Sequence, residues 1–189
     1  MKHRSANIIG SKGNALSRLQ ISALTVSTTA LALAFSVGCS APTKQYAIPK
    51  DLCGIQVKPN LVEPLLPPGE KLNFRSSSTG EHSWCRVEVD GKTPLSVMRE
   101  WWSADTTVSY LARGALGVSP YDKQTKDRRY IYSRTGAIGQ VECPESRKDG
   151  KKLFASVRVT SEVTEAEMKR FIIGYTKSVA TSEACEAGA

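Results

Sequence analysis

The chain has 189 residues, of which 40% are apolar and 23% are charged, with a formal net charge of +8. This composition is typical of a globular protein and excludes a largely disordered chain. Four of the 26 basic residues and none of the 18 acidic residues precede Cys39, so the net charge of residues 39–189 is +4. A charge of this size does not indicate a nucleic-acid partner. There is no basic cluster interleaved with aromatic residues and no close cysteine or histidine spacing, so no nucleic acid, metal or cofactor is predicted.

The N-terminal region has the three parts of a bacterial export signal. Basic residues come first, an apolar stretch covers residues 21–37, and the small residues Ser36 and Gly38 precede Cys39. The apolar stretch is marginal for a membrane span, which needs about 20 residues. The sequence therefore predicts a signal peptide over residues 1–38. An ordinary signal without lipid and a single N-terminal anchor helix are the alternatives.

The four residues that end in Cys39, Ser-Val-Gly-Cys, resemble the bacterial lipobox, with Ser36 at a position that is usually aliphatic. The resemblance implies cleavage before Cys39 and a diacylglyceryl group on its sulfur. Each buried methylene contributes about 0.8 kcal/mol, so two acyl chains anchor a protein stably. The expected location is the extracytoplasmic face of the cytoplasmic membrane, and the first expected partner is that membrane, through the lipid on Cys39.

Beyond Cys39 the sequence predicts one tether and one domain. Residues 39–50 are polar and contain Pro42 and Pro49, which is typical of a short tether. Residues 51–189 are long enough for a single domain with its own core. Residues 51–70 of this domain include four prolines, so we expect an extended arm rather than a helix there.

Two sets of alternating apolar residues follow the arm, and each ends in a helical pattern. The first unit, residues 71–116, predicts three strands, a turn at residues 76–80, a hairpin at Asp90-Gly91 and a weak helix at residues 108–116. A polar loop is expected at residues 117–127. The second unit, residues 128–182, predicts three more strands and a final helix that begins with a capping box of Thr164 and Glu167.

These patterns predict an α+β fold with a mainly antiparallel sheet of about six strands and two packed helices. The similar order of elements in the two units is consistent with a duplicated βββα unit, although two independent meanders give the same pattern. The final helix carries one apolar stripe at helical spacing, which we interpret as core rather than as a binding site. Its members are Met168, Phe171, Ile172, Tyr175 and Val179.

The five cysteines support export. If Cys39 carries lipid, four cysteines remain, and four thiols outside the cytoplasm favour two disulfides. The most local pairing is Cys53–Cys85 with Cys143–Cys185, which would hold the arm and the final helix to the sheet. The main alternative is Cys85–Cys143 with Cys53–Cys185.

Candidate functional residues are few. His82 is the only histidine after the signal; no Gly-x-Ser-x-Gly nucleophile motif is present, and we interpret His82 as a solvated loop residue. Strand alternation directs Trp84 away from Cys85, and the neighbours Trp101 and Trp102 must point to opposite sides. Exposed aromatic residues commonly mark binding surfaces, so the three tryptophans form the predicted binding surface. The alternative is that a helix or the arm covers that face.

Four segments carry a resemblance to the secreted lipoproteins of actinomycetes such as Streptomyces. They are the lipobox at Cys39, the Pro-Lys-Asp-Leu-Cys-Gly start, the Pro-Leu-Leu-Pro-Pro-Gly segment and the Cys-x-Val-x-Val-Asp-Gly strand and turn. The resemblance implies a location and no activity. We therefore expect a non-catalytic binding or interaction module at the cell envelope, whose partner is a protein or a small apolar ligand. The alternatives are a carrier of a small apolar or envelope-lipid ligand and, last, a secreted hydrolase.

Overall fold

Alternating apolar residues build one antiparallel sheet that organises the rest of the chain. The computed structural model describes residues 42–144 and 150–185; the predicted signal peptide and Cys39 lie outside these ranges. The seven strands of this sheet are β3 (Leu72–Thr79), β4 (His82–Val89), β5 (Lys92–Ser103), β6 (Lys123–Gln124), β7 (Tyr130–Tyr132), β8 (Gly136–Gln140) and β9 (Lys151–Val159), with a separate pair formed by β1 (Asp51–Leu52) and β2 (Ile55–Gln56). Their order in the sheet is β3-β4-β5-β9-β8-β7-β6.

The α+β class predicted from the sequence is confirmed, with two differences in the strands. The sheet has seven strands rather than six, because part of the expected loop at residues 117–127 pairs as β6 with β7. The expected turn at residues 76–80 is also shorter than predicted. Strand β3 continues to Thr79, and only Gly80 and Glu81 form the turn, with Gly80 at a positive φ of 52°.

Three α-helices accompany the described strands: α1 (Pro59–Val62), α2 (Val108–Leu111) and α3 (Glu165–Ala180). Helix α1 corrects the expectation of a helix-free arm, because Pro59 occupies the first helical turn, where its missing N–H costs nothing. Helix α2 is a single turn and does not reach residue 116. None of the described helices is long and apolar enough to cross a membrane.

Helix α3 confirms its predicted capping box and core stripe. The Thr164 hydroxyl accepts from the Glu167 N–H at 3.2 Å, and the Glu167 carboxylate accepts from the Thr164 N–H at 2.8 Å. The Thr164 hydrogen bonds hold the pKa of Glu167 below its ordinary value. All five stripe residues are buried and pack on one face of the sheet, together with apolar residues of the arm.

The two faces of the sheet are covered unequally. Helix α3 and the arm cover the face that carries Cys85, Val97 and Ala155. Helix α2 lies on the other face, where Val108 packs with Ile138 and with residues of β7 and β9. Apart from β6, the strand order is symmetric about the β5–β9 pair, as a duplication predicts. A two-fold axis that relates two βββα units through the antiparallel β5–β9 pair is perpendicular to the sheet and keeps both helices on one face. The helices α2 and α3 lie on opposite faces, so the repeat does not extend to a whole βββα unit.

Two disulfides tie the peripheral segments to the sheet. Cys53 is bonded to Cys85, with their Cα atoms 5.8 Å apart, and Cys143 is bonded to Cys185, with their Cα atoms 5.4 Å apart. This is the most local of the three possible pairings. The first bond holds the β1–β2 arm to β4, and the second holds the segment after α3 to the segment after β8.

Residues 42–50, expected as part of a free tether, lie on the domain. Lys44 forms a parallel bridge with Gly69, the Gln45 N–H donates to the Gly69 carbonyl at 2.8 Å, and the Tyr46 hydroxyl donates to the Pro67 carbonyl. The chain therefore enters the described structure beside Gly69, near the Asp90-Gly91 turn.

Candidate interaction surface

The sheet face opposite α3 is covered over β7, β8 and β9 and open over β3, β4 and β5. Cross-strand register places Trp84 of β4 opposite Met98 of β5, and Met98 opposite Ser156 of β9, all on this face. Trp102 lies on the same face because it is four residues beyond Met98 along β5. Trp101 points the other way and is 7% exposed within the core. The structure therefore joins Trp84 and Trp102 on one surface and places Trp101 in the core.

One wall of the open face is formed by α2 and the residues that follow it. Leu111 and Ala115 of this segment pack against the small apolar cluster beneath α2, whereas Leu116 projects with 67% of its surface exposed. Gly114, Ala115 and Leu116 of this segment line a depression whose other lining residues include Trp84 and Met98. A groove lies between this segment and the side chains of Trp84, which is half-buried, and Met98, which is exposed.

The groove is one continuous depression with two lobes. The first lobe has a volume of about 380 Å³, and the second, beside Trp102 and Tyr110, has a volume of about 570 Å³. The lobes share four lining residues, namely Met98, Gly114, Ala115 and Ser156. Both volumes lie in the range of ordinary small-molecule sites, which is roughly 300–1,000 Å³. We call this depression the aromatic groove.

The groove has an unpaired donor in its second lobe. The indole Nε1 of Trp102 is buried and has no hydrogen-bond partner in the part of the chain that the structure describes. An unsatisfied buried donor costs about 1–3 kcal/mol, so the sheet retains this N–H at a cost in stability. The Tyr110 ring, which is 55% exposed, stands at the same lobe with the Arg113 guanidinium 6.0 Å from its centroid.

Arginines surround the apolar centre of the groove. The Arg86 guanidinium lies 4.7 Å from the centroid of the Trp84 ring, a stacked cation–π arrangement. Arg158 lines the same lobe from β9. On the neighbouring edge strand, the Arg75 Nε lies 2.8 Å from a Glu88 carboxylate oxygen. Within residues 42–144 and 150–185, neither Arg86 nor Arg158 forms an ion pair with a carboxylate.

His82 is not a loop residue, as the sequence suggested, but the first residue of β4. Its Nδ1 lies 2.9 Å from a Glu100 carboxylate oxygen. The adjacent Ser83 hydroxyl instead accepts a hydrogen bond from Arg99 Nε at 2.9 Å, on the other face of the sheet. No serine hydroxyl among the described residues forms a hydrogen bond with His82, although Ser78, Ser83, Ser178 and Ser182 line the same depression as His82.

A second depression of about 590 Å³ lies at the opposite end of the sheet from Gly69. Its lining includes the Cys53 side of the first disulfide, Arg99, Trp101 and Glu183. Trp101 contributes to its floor from the core rather than to an exposed aromatic surface. The lining is about equally polar and apolar and includes both acidic and basic side chains.

Sequence reasoning identified Trp84 and Trp102 and missed the arginines beside them. Strand alternation places Arg86 on the same face as Trp84, so one signal for Arg86 was present. Arg158 could not be found in this way, because its place depends on the pairing of β5 with β9, which are far apart in the sequence.

No group of His, Cys, Asp or Glu among the described residues could hold a metal ion. Comparisons with protein-family models, with curated proteins and with solved structures give no significant match.

Proposed function

We propose that the chain is a lipid-anchored, non-catalytic binding module on the outer face of the cytoplasmic membrane, and that the aromatic groove is its binding surface. The observation that carries the proposal is the open sheet face, where Trp84 and Trp102 flank a groove outside the hydrophobic core. Aromatic residues of this kind are enriched at binding surfaces. Large side chains kept partly in solvent at the edge of a groove are better explained by binding than by folding.

The proposed location rests on the sequence around Cys39 and is supported by the disulfides. Structural disulfides persist in oxidising compartments such as those outside the cytoplasm. Only residues 40 and 41 separate Cys39 from the first described residue, Pro42, and three peptide units span at most about 10 Å. A lipid on Cys39 would hold the Gly69 end of the sheet close to the bilayer.

A carrier that encloses a small apolar ligand is the alternative. Such a carrier is expected to have a closed apolar cavity. The first lobe of the aromatic groove instead has the exposed Leu116 in its lining, and the second lobe has the exposed Tyr110. The open groove therefore favours a module that binds at its surface.

Two measurements test the proposal separately. The first is the intact mass of the unreduced protein from membranes of the producing cell. We expect the mass of residues 39–189 plus diacylglyceryl, less four protons for two disulfides. A soluble product without lipid contradicts the anchor.

The second measurement places p-benzoylphenylalanine at Leu116, on the groove wall, and irradiates the cells. The matched control places it at Tyr121, which is 96% exposed and does not line the groove. We expect a discrete adduct from position 116 and none from position 121. Equal labelling at both positions, or no adduct from either, refutes the groove as the binding surface.

A further inference from the structure

A row of arginines crosses the open face next to the aromatic groove. Strand register places Arg75 directly opposite Arg86, Arg86 opposite Ser96, and Ser96 opposite Arg158. Four adjacent strands thus contribute three cations and one small hydroxyl to a single line. We call Arg75, Ser96, Arg86 and Arg158 the arginine row.

Without a bound anion, the arginine row is expected to lower the stability of the fold. Like charges directly opposite each other on neighbouring strands destabilise a sheet. Glu88 neutralises Arg75, and Glu100 of the same face is engaged with His82. Arg86 and Arg158 have no such carboxylate among the described residues. The local charge is therefore positive at the point where Ser96 leaves space between two guanidinium groups.

The spacing of the row suits one anionic group. Neighbouring strands lie about 4.8 Å apart, so the Cα atoms of Arg86 and Arg158 are about 10 Å apart with Ser96 midway. Two arginine side chains are long enough to converge on one anion from that distance. Arginine is the residue best suited to this task, because its planar guanidinium binds carboxylate or phosphate oxygens in pairs.

The apolar part of the site begins one pleat further along the strands. Trp84 and Met98 lie two residues from Arg86 and Ser96 respectively, which corresponds to about 7 Å. Leu116 faces them from the opposite wall. The six residues Trp84, Arg86, Ser96, Met98, Leu116 and Arg158 all line the same lobe of about 380 Å³.

We infer that the aromatic groove binds a small anionic amphiphile, with its carboxylate or phosphate between Arg86 and Arg158 and its apolar chain on Trp84 and Met98. This inference rests on the proposed role of the groove as the binding surface and adds the class of ligand. It does not depend on the lipid at Cys39. The second lobe, beside Trp102, extends the apolar path for a chain longer than the first lobe holds.

The test uses four probes at concentrations at which none forms micelles. Decanoate, decanol and decyltrimethylammonium share a ten-carbon chain and differ in head group, whereas acetate has the carboxylate without the chain. The full chain carrying Cys39→Ser is exported and purified without detergent, so that no lipid competes. Binding is followed by NMR from the indole N–H signal of Trp84, assigned with the Trp84→Phe variant. We expect decanoate to bind at least about tenfold more tightly than each of the other three probes.

Charge variants then locate the head group. The double substitution Arg86→Gln with Arg158→Gln is expected to weaken decanoate binding by about tenfold or more, and to bring it near the affinity of decanol. The control is Arg170→Gln, an exposed arginine of α3 on the other side of the sheet. Thermal unfolding of all variants distinguishes a lost site from a lost fold. The double variant should stay folded, because relief of the repulsion between Arg75 and Arg86 offsets the loss of the Arg86–Trp84 cation–π contact.

Each outcome decides the inference. Equal binding of decanoate and decyltrimethylammonium refutes the anion site, and equal binding of decanoate and acetate refutes the apolar one. An undiminished affinity in a folded double variant refutes the role of the two arginines. If decanoate does not bind while position 116 still crosslinks to an envelope protein in cells, the groove remains the binding surface but its ligand is a protein.

Discussion

The buried hydroxyl of Tyr175 offers a quantitative test of how α3 packs on the sheet. The ring is 1% exposed and stacks on Phe171 with their centroids 5.6 Å apart. Its Oη is buried without a hydrogen-bond partner among the described residues. Burial raises the pKa of Tyr175 from the ordinary 10.0 to about 12. The side chain is therefore stable in the core only while it is neutral.

The sign of the pH effect follows from that shift. Because the folded pKa is raised, the contribution of Tyr175 is complete below pH 10 and is lost as the pH rises towards 12. A difference of about two pH units corresponds to about 2.7 kcal/mol of unfolding free energy. Phenylalanine does not ionise, so Tyr175→Phe should remove this loss while it preserves the stacked pair.

At neutral pH the same substitution removes an unsatisfied buried hydroxyl. Such a group costs about 1–3 kcal/mol, so we expect Tyr175→Phe to leave the protein unchanged or to stabilise it by about 1 kcal/mol at pH 7. Urea unfolding at several pH values from 7 to 12 measures both effects, and the difference between the two proteins cancels the other titrating groups. Destabilisation by more than about 1 kcal/mol at pH 7 would show that the hydroxyl has a partner. A difference that stays constant from pH 9 to 12 would contradict the raised pKa.

Three further predictions concern separate parts of the fold. Gly139→Ala should cost about 1–3 kcal/mol in thermal unfolding, because a Cβ at Gly139 would lie 2.7 Å from the ring of Tyr130. Replacing Cys143 and Cys185 by Ala should cost about 4 kcal/mol in urea unfolding, since the bond closes a loop with a sequence separation of 42. Hydrogen bonds, first from Thr125 and second from Arg129, lower the pKa of Asp127 from 3.8 to about 2. The contribution of the Asp127 carboxylate to stability is therefore complete above about pH 4 and is lost as the pH falls through 2. Asp127→Asn should remove that part of the acid dependence.

Each of these predictions has a matched control. Gly114→Ala adds a Cβ where nothing lies within 4 Å and should leave the unfolding temperature of the protein nearly unchanged. Reduction of the parent chain should lower the free energy of unfolding by more than substitution of Cys143 and Cys185 does, because reduction also breaks the Cys53–Cys85 bond. Asp122→Asn removes a carboxylate from a neighbouring loop, so an equal acid effect in both variants would refute the role of Asp127.

Much of the fold was predictable because its signals are local. Period-two alternation indicated β4, β5 and β9, and the Thr164–Glu167 spacing indicated the start of α3. The departures occur where a local signal is ambiguous. Proline predicts the absence of a helix except in a first helical turn, which is where Pro59 lies. The two residues of β6 are too few to show any periodicity.

The candidate site was predictable only in part. Alternation alone placed Trp84 outside the core, but the choice between Trp101 and Trp102 needed the position of α3 relative to β5. The arginine row as a whole could not be predicted from the sequence, although strand alternation places Arg86 on the face of Trp84. Arg75 and Arg86 belong to one hairpin, whereas Arg158 joins them through the pairing of β5 with β9, and register between distant strands is set by packing over the whole sheet.

The sequence by itself determined the class of fold and the alternation that separates core from surface, and it predicts the export signal, because each depends on residues close together in the chain or on composition. The tertiary structure decided which face of the sheet stays open, which tryptophan is buried, and which arginines share a row. Those properties arise from pairing between strands distant in sequence and from helices packed on opposite faces. They are settled only when the whole core is assembled.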